Sequence, residues 1–109
     1  MNGLSFKVQN DLGRFCREKQ YSDAFEKLLL DNQIPYQKEL SVGESGNKLD
    51  FFVYDCIVVE MKAKPYILKE DYYQVQRYMQ VLNAELGIIY NFRDRYLKPK
   101  RILRQTNKN

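Results

Sequence analysis

With 109 residues the chain has room for one hydrophobic core, not two, and its 44% hydrophobic and 29% charged composition is ordinary for a soluble globular protein. It has no histidine, which excludes His-based metal sites, Ser–His or Cys–His nucleophiles and a histidine general base, leaving carboxylates, lysine and activated water. Net charge is +4, yet all 14 acidic residues lie at or before Asp94 and six basic residues follow it, which fits either a polyanion contact or a solvated tail.

The N-terminal stretch Met1-Asn2-Gly3-Leu4-Ser5-Phe6 lacks a signal peptide's hydrophobic region, and no apolar run approaches the ~18–20 residues that span a bilayer. A cytoplasmic protein with no membrane partner is therefore expected. Cys16 and Cys56 have no CxxC spacing and fall in stretches that read as regular structure, so reduced, buried thiols are expected rather than a disulfide or a zinc site.

From Leu4 to about Asn32 the pattern is helical. Leu4, Val8, Leu12, Phe15, Ser22, Phe25 and Leu29 form one stripe in steps of three, four or their sum, with Gly13 placed to kink or split it. Glu18 falls inside this stripe, where a carboxylate calls for a partner, with Tyr21 able to pack beside it. A slightly rotated helix would instead let Glu18 edge the stripe and pair with Arg14. Asn32-Gln33-Ile34-Pro35 ends the helix. Tyr36 to Val42 reads as a first strand, in which Glu39 is a solvated or edge residue, and Gly43 to Asn47 as a turn.

Lys48 to Lys62 reads as two β-branched and aromatic strands folded back about Asp55. Such a hairpin sets Asp50 opposite Glu60, with Cβ atoms about 4.5–5.5 Å apart. Lys62 falls on the same face as Glu60, about 7 Å further along. Two anions this close are costly unless a proton or cation sits between them, and oxygen donors alone suit Mg²⁺ or Mn²⁺. The bland alternative is a structural Glu–Lys pair at a strand end.

Proline at 65 takes the chain out of the sheet. A second helix runs from about Leu68 to Ala84, with Leu68, Tyr72, Val75, Met79 and Leu82 as its apolar stripe. Beside that stripe lies a polar row, Asp71, Gln74 and Tyr78, which is either the helix's wet flank or a lining for the carboxylates. Ile88 to Phe92 reads as a fourth strand, parallel to or near the third across a βαβ crossover. Tyr96 to Leu103 adds an edge strand, where Pro99 is tolerated. The end, Asn107-Lys108-Asn109, is expected to be disordered.

The order of Glu18 on a helix, then Asp50, Glu60-Met61-Lys62, and a helix carrying Gln74-Val75-Gln76-Arg77-Tyr78 resembles the PD-(D/E)XK nuclease superfamily. More narrowly, Gly13 to Tyr21 is similar to the signature of the small GxxExxY proteins within it, as are Asn91-Phe92, Leu97 and Lys100-Arg101 at the C-terminal end. Phe15 stands where that signature has glycine, Leu49 where the superfamily name has proline, and Asp71 where those proteins usually carry histidine.

The resemblance implies an α/β fold with a restriction-endonuclease-like α-β-β-β-α-β core, its central mixed sheet flanked by helices. The expected organisation is one nuclease-like domain over 1–109, with a basic, partly flexible end from about 95. Carried over residue by residue, it makes Asp50 and Glu60 ligands of Mg²⁺ or Mn²⁺, with the Met61 carbonyl and Glu18 reaching the same site. Lys62 orients or deprotonates the attacking water, and Gln74 and Tyr78 line the site. Lys98, Lys100, Arg101 and Arg104 are expected to hold a nucleic-acid backbone without reading sequence. The expected function is a metal-dependent nuclease acting on nucleic acid, DNA first, without strong sequence specificity, with a homodimer among the expected assemblies. The alternatives are a catalytically weak nucleic-acid-binding or assembly module, and a structural partner whose polar cluster is a salt-bridge network.

Overall fold

A computed structural model describes residues 1–44 and 46–104. The elements run α1 (Asn2–Leu12), α2 (Glu18–Asp31), β1 (Tyr36–Ser41), β2 (Lys48–Val53), β3 (Ile57–Lys62), α3 (Lys69–Leu82), β4 (Leu86–Asn91) and β5 (Lys100–Leu103). The five strands form one sheet in the order β1-β2-β3-β4-β5, parallel between β3 and β4 and antiparallel elsewhere. This is the expected mixed α/β, restriction-endonuclease-like architecture. No helix among the described residues is long and apolar enough to cross a membrane.

The single long N-terminal helix of the sequence reading is two helices. Gly13, at φ +78°, ends α1 in a backbone conformation that side chains disfavour, and α2 restarts at Glu18 in a new rotational phase. The buried residues of α2 are therefore Tyr21, Phe25 and Leu29, one turn apart each, while Phe15 is 76% exposed. Tyr21 stacks on Phe92 at 4.3 Å, donates its hydroxyl to the Gly13 carbonyl (2.6 Å) and accepts the Cys16 N–H (3.1 Å), which fixes the break between the helices.

Both faces of the sheet are covered. α1 and α2 pack with Phe51, Val53, Val59, Met61, Ile88 and Tyr90, and α3 packs its Val75, Tyr78 and Met79 with Val58, Ile89 and Ile102 on the other face. A sheet buried on both sides explains the near-continuous apolar run of β3. Gly87 lets α3 approach β4, because a Cβ there would lie 2.6 Å from Val75 Cγ1 and 2.8 Å from the Met79 sulfur.

The hairpin turns where expected: Tyr54 and Asp55 take φ +56° and +52°, the primed-turn geometry that suits strand twist. That turn also places Cys56 outside the sheet and exposed, and Cys16 sits half-buried in the break before α2, so the expectation of two buried thiols in regular structure fails. Both are free.

Candidate active site

Register brings the two central acids together. β2 and β3 pair through Val53–Ile57, Phe52–Val58 and Phe51–Val59, and the next step sets Asp50 against Glu60. There the ladder gives way to side chains. The Asp50 N–H donates to Glu60 Oε1 (3.0 Å), and the Met61 N–H donates to Asp50 Oδ2 (2.7 Å). The inward and outward alternation also slips at this level. Phe51 and Val53 face α1 and α2 whereas Leu49 packs on the α3 side, and in β1 Tyr36 and Leu40 divide in the same way about Glu39, whose φ is +54°. The two strands change face together, so Asp50 sits at the seam.

Glu60 is 4% exposed, and Lys62 Nζ lies 3.6 Å from its Oε2. Burial, and next the Asp50 charge, push the Glu60 carboxyl up to about 8. Asp50 is also raised, by burial first, against the opposing pull of the Met61 N–H and Lys62; Glu18 and Glu39 add repulsion. A pair held this way retains a proton at neutral pH or exchanges it for a cation. The donors are all oxygen, as a hard divalent ion requires, and Mg²⁺ is commonly held by one or two carboxylates with water completing its shell. Asp50 and Glu60 fit that demand.

Glu18 does not lie on a core-facing stripe and does not pair with Arg14, whose Nε donates instead to the Arg93 carbonyl (2.9 Å). It is the exposed first residue of α2 and shares a cleft of about 260 Å³ with Asp50, Glu39 and Lys38. Its charge is felt at Asp50, but among the described residues no three acidic or cysteine side chains converge closely enough to hold a metal ion by themselves. Of the expected three carboxylate ligands, two are brought together and the third stands across the cleft.

The polar row of α3 is not a wet flank. Asp71 and Tyr78 are buried and Gln74 half-buried. Tyr78 donates to the Lys48 carbonyl (3.4 Å), and its phenol is pushed up to about 12 by burial and next by the Glu60 and Asp50 charges; Gln74 lies one turn before it on α3. Asp71 does more than the sequence suggested. It accepts the Leu68 N–H (2.7 Å), capping α3, and faces Lys64 at 2.5 Å and Lys62 at 3.8 Å. Burial raises its carboxyl, but Lys64, the Leu68 N–H and Lys62 outweigh that and hold it below its ordinary value. Asp71 thus pairs with both lysines, and Lys62 lies within 4 Å of a carboxylate oxygen of each of Glu60 and Asp71. A carboxylate in the first turn of a helix two residues after Lys69 was the available signal, and it reads equally as a simple cap.

The basic residues after Asp94 separate. Lys98 and Lys100 line one groove, Arg101 alternates to the opposite face of β5, and Arg104 turns back to hydrogen-bond Asn83 beyond the end of α3. Because Leu86 pairs with Leu103, Arg104 lies at the end of the sheet remote from Lys62. Lys108 lies outside the described residues.

A family model described as the PD-(D/E)XK nuclease superfamily matches residues 1–104. No curated protein and no solved structure matches the chain.

Proposed function

The chain belongs to the PD-(D/E)XK nuclease superfamily, and on that premise we propose that it is a divalent-metal-dependent nuclease hydrolysing the phosphodiester bonds of nucleic acid, DNA first, without strong sequence specificity. The observation that supports this most is the buried Asp50–Glu60 pair with Lys62 at 3.6 Å. Nothing in a folding role requires two facing carboxylates in a strand pair whose other residues, the end lysines Lys48 and Lys62 apart, are apolar, and burying them is costly without a partner.

Asp50 and Glu60 would hold Mg²⁺ or Mn²⁺, with the Met61 carbonyl and, through water, Glu18. Bound there, the ion supplies Lewis-acid activation of water and neutralises phosphate charge. Lys62 orients the attacking water and donates to the phosphate oxygens as their charge grows. Its ammonium lies 3.6 Å from a Glu60 oxygen and 3.8 Å from an Asp71 oxygen. Tyr78 and Gln74 line the site and contact the scissile strand. Water adds to phosphorus, the bond to the leaving sugar oxygen breaks, and the products are a phosphomonoester and an alcohol.

Cleavage of labelled single strands, duplexes, flaps and junctions in Mg²⁺ or Mn²⁺, against EDTA, tests the reading. Activity should be lost in Asp50→Ala, Glu60→Ala and Lys62→Ala while each variant stays folded. The rival, a binding or assembly module with little turnover, draws on the engagement of both carboxylates by backbone N–H groups. It requires retardation of nucleic acid in EDTA with no cleavage in either metal.

A further inference from the structure

Asn91 pairs with Lys62 across the parallel ladder, so the surface beyond the end of β4 begins one strand, about 4.8 Å, from that lysine. A groove of about 470 Å³ opens there, lined by Tyr66, Tyr72, Tyr96, Arg95, Lys98 and Lys100. Asp94 is its one acidic lining residue among those described. Tyr66 is 78% exposed and Tyr96 69%, and the Arg95 guanidinium lies 5.5 Å from the Tyr96 ring centre.

These rings ride on pinned loops. The Asn91 side chain donates to the Lys64 carbonyl (2.8 Å) and accepts the Lys64 N–H (3.2 Å), which anchors the segment leading to Tyr66. Gln9 of α1 donates to the Phe92 and Asp94 carbonyls (3.1 and 2.8 Å) and accepts the Leu97 N–H (3.2 Å), which brackets Tyr96. At the same end, the guanidiniums of Arg14 and Arg93 lie 5.1 and 5.5 Å from the ring centre of exposed Phe15, and Arg93 also reaches the Ala63 carbonyl.

Exposed flat rings interleaved with cations match a polyanion that offers free π-faces. Unpaired nucleotides do so, whereas a duplex keeps its base faces stacked inside. We propose that this groove binds single-stranded nucleic acid, stacking bases on Tyr66 and Tyr96 and seating the backbone on Arg95, Lys98 and Lys100, so that the strand is fed toward Lys62. The proposal rests on the nuclease reading for its purpose and narrows that reading's substrate to unpaired strands, but binding is separable from cleavage.

Fluorescence anisotropy of the full chain in EDTA, with matched labelled single-stranded DNA, single-stranded RNA and duplex, tests it. Single strands bind roughly tenfold or more tightly than duplex, the DNA and RNA arms showing which strand is preferred. Tyr66→Ala and Tyr96→Ala each weaken single-strand binding roughly tenfold, Tyr66→Phe restores it, and Lys98→Gln lowers the log–log salt slope by about 0.7. Duplex bound as tightly as single strand, or unchanged affinity in both alanine variants, overturns the proposal. Ring-dependent binding without any Mg²⁺- or Mn²⁺-supported cleavage would leave the groove standing and remove the nuclease reading. Cleavage with ring-independent binding would do the reverse.

Discussion

Glu60 holds its proton to about pH 8, far above the ordinary glutamate value of 4.5, because it is buried and faces Asp50. A carboxyl whose folded-state value is raised favours the folded state while protonated, and that contribution is lost as pH climbs from about 4.5 through about 8. Metal-free protein should therefore lose several degrees of Tm, roughly 5 °C or more, between about pH 5 and pH 8, and Glu60→Gln should flatten that decline in a thermal melt. Added Mg²⁺ should raise Tm at about pH 8 and do little near pH 5, where the proton holds the site. Asp71 has the opposite sign: its lowered value stabilises above its ordinary range and is lost only in acid. Asp71→Ala removes the α3 cap, worth about 1 kcal/mol, and frees Lys62 on one side. Cleavage should fall further in this variant than the Tm change explains. Among these residues, the facing of Asp50 and Glu60 was legible in the sequence because strand alternation has a period of two and the turn lies midway. The Lys62–Asp71–Lys64 arrangement was not, because it depends on how the Pro65 turn returns the chain to α3.

At the scale of elements, the strands and α3 were legible from their patterns, with ends shifted by up to four residues, the most at the edge strand, which starts at Lys100 after Pro99 and not at Tyr96. The N-terminal helix was misread in phase: five residues between Leu12 and Glu18 lie outside the helices, so a stripe counted straight through Phe15 lands on Ser22 where Tyr21 is the buried residue. Glu18 then reaches the cleft from a helix start rather than from a core face. The paired slip of β1 and β2 at Glu39 and Asp50 was also hidden, since a left-handed glutamate leaves no mark in composition. Gly87 gives a test at this scale. Gly87→Ala drives a methyl into Val75 and Met79, and since both are packed against the sheet it should cost about 1–3 kcal/mol in denaturant unfolding, separating α3 from β4 and displacing Tyr78.

Across the whole molecule, charge and chemistry share one end of the sheet. β3 and β4 run parallel, so Lys62 and Asn91 finish side by side, and the segments that follow them carry Tyr66, Tyr96, Arg95 and Lys98, with Tyr72 of α3 and Lys100 of β5 completing the groove. The surplus of basic residues after Asp94 was plain in the sequence, but its division between two ends of β5 was set by the antiparallel return onto β4. Lys100→Gln should accordingly weaken nucleic-acid binding and its salt dependence, while Arg104→Gln leaves both near the parent values in a salt titration. The central claim is that the Asp50–Glu60 pair exists to place a cation beside Lys62. The most direct test is cleavage of a labelled oligonucleotide in Mg²⁺ by the parent protein and by Glu60→Gln, which keeps shape and removes charge. A folded Glu60→Gln slowed by roughly 10²-fold or more is predicted; cleavage at the parent rate, or cleavage by the parent that persists in EDTA, would contradict the claim.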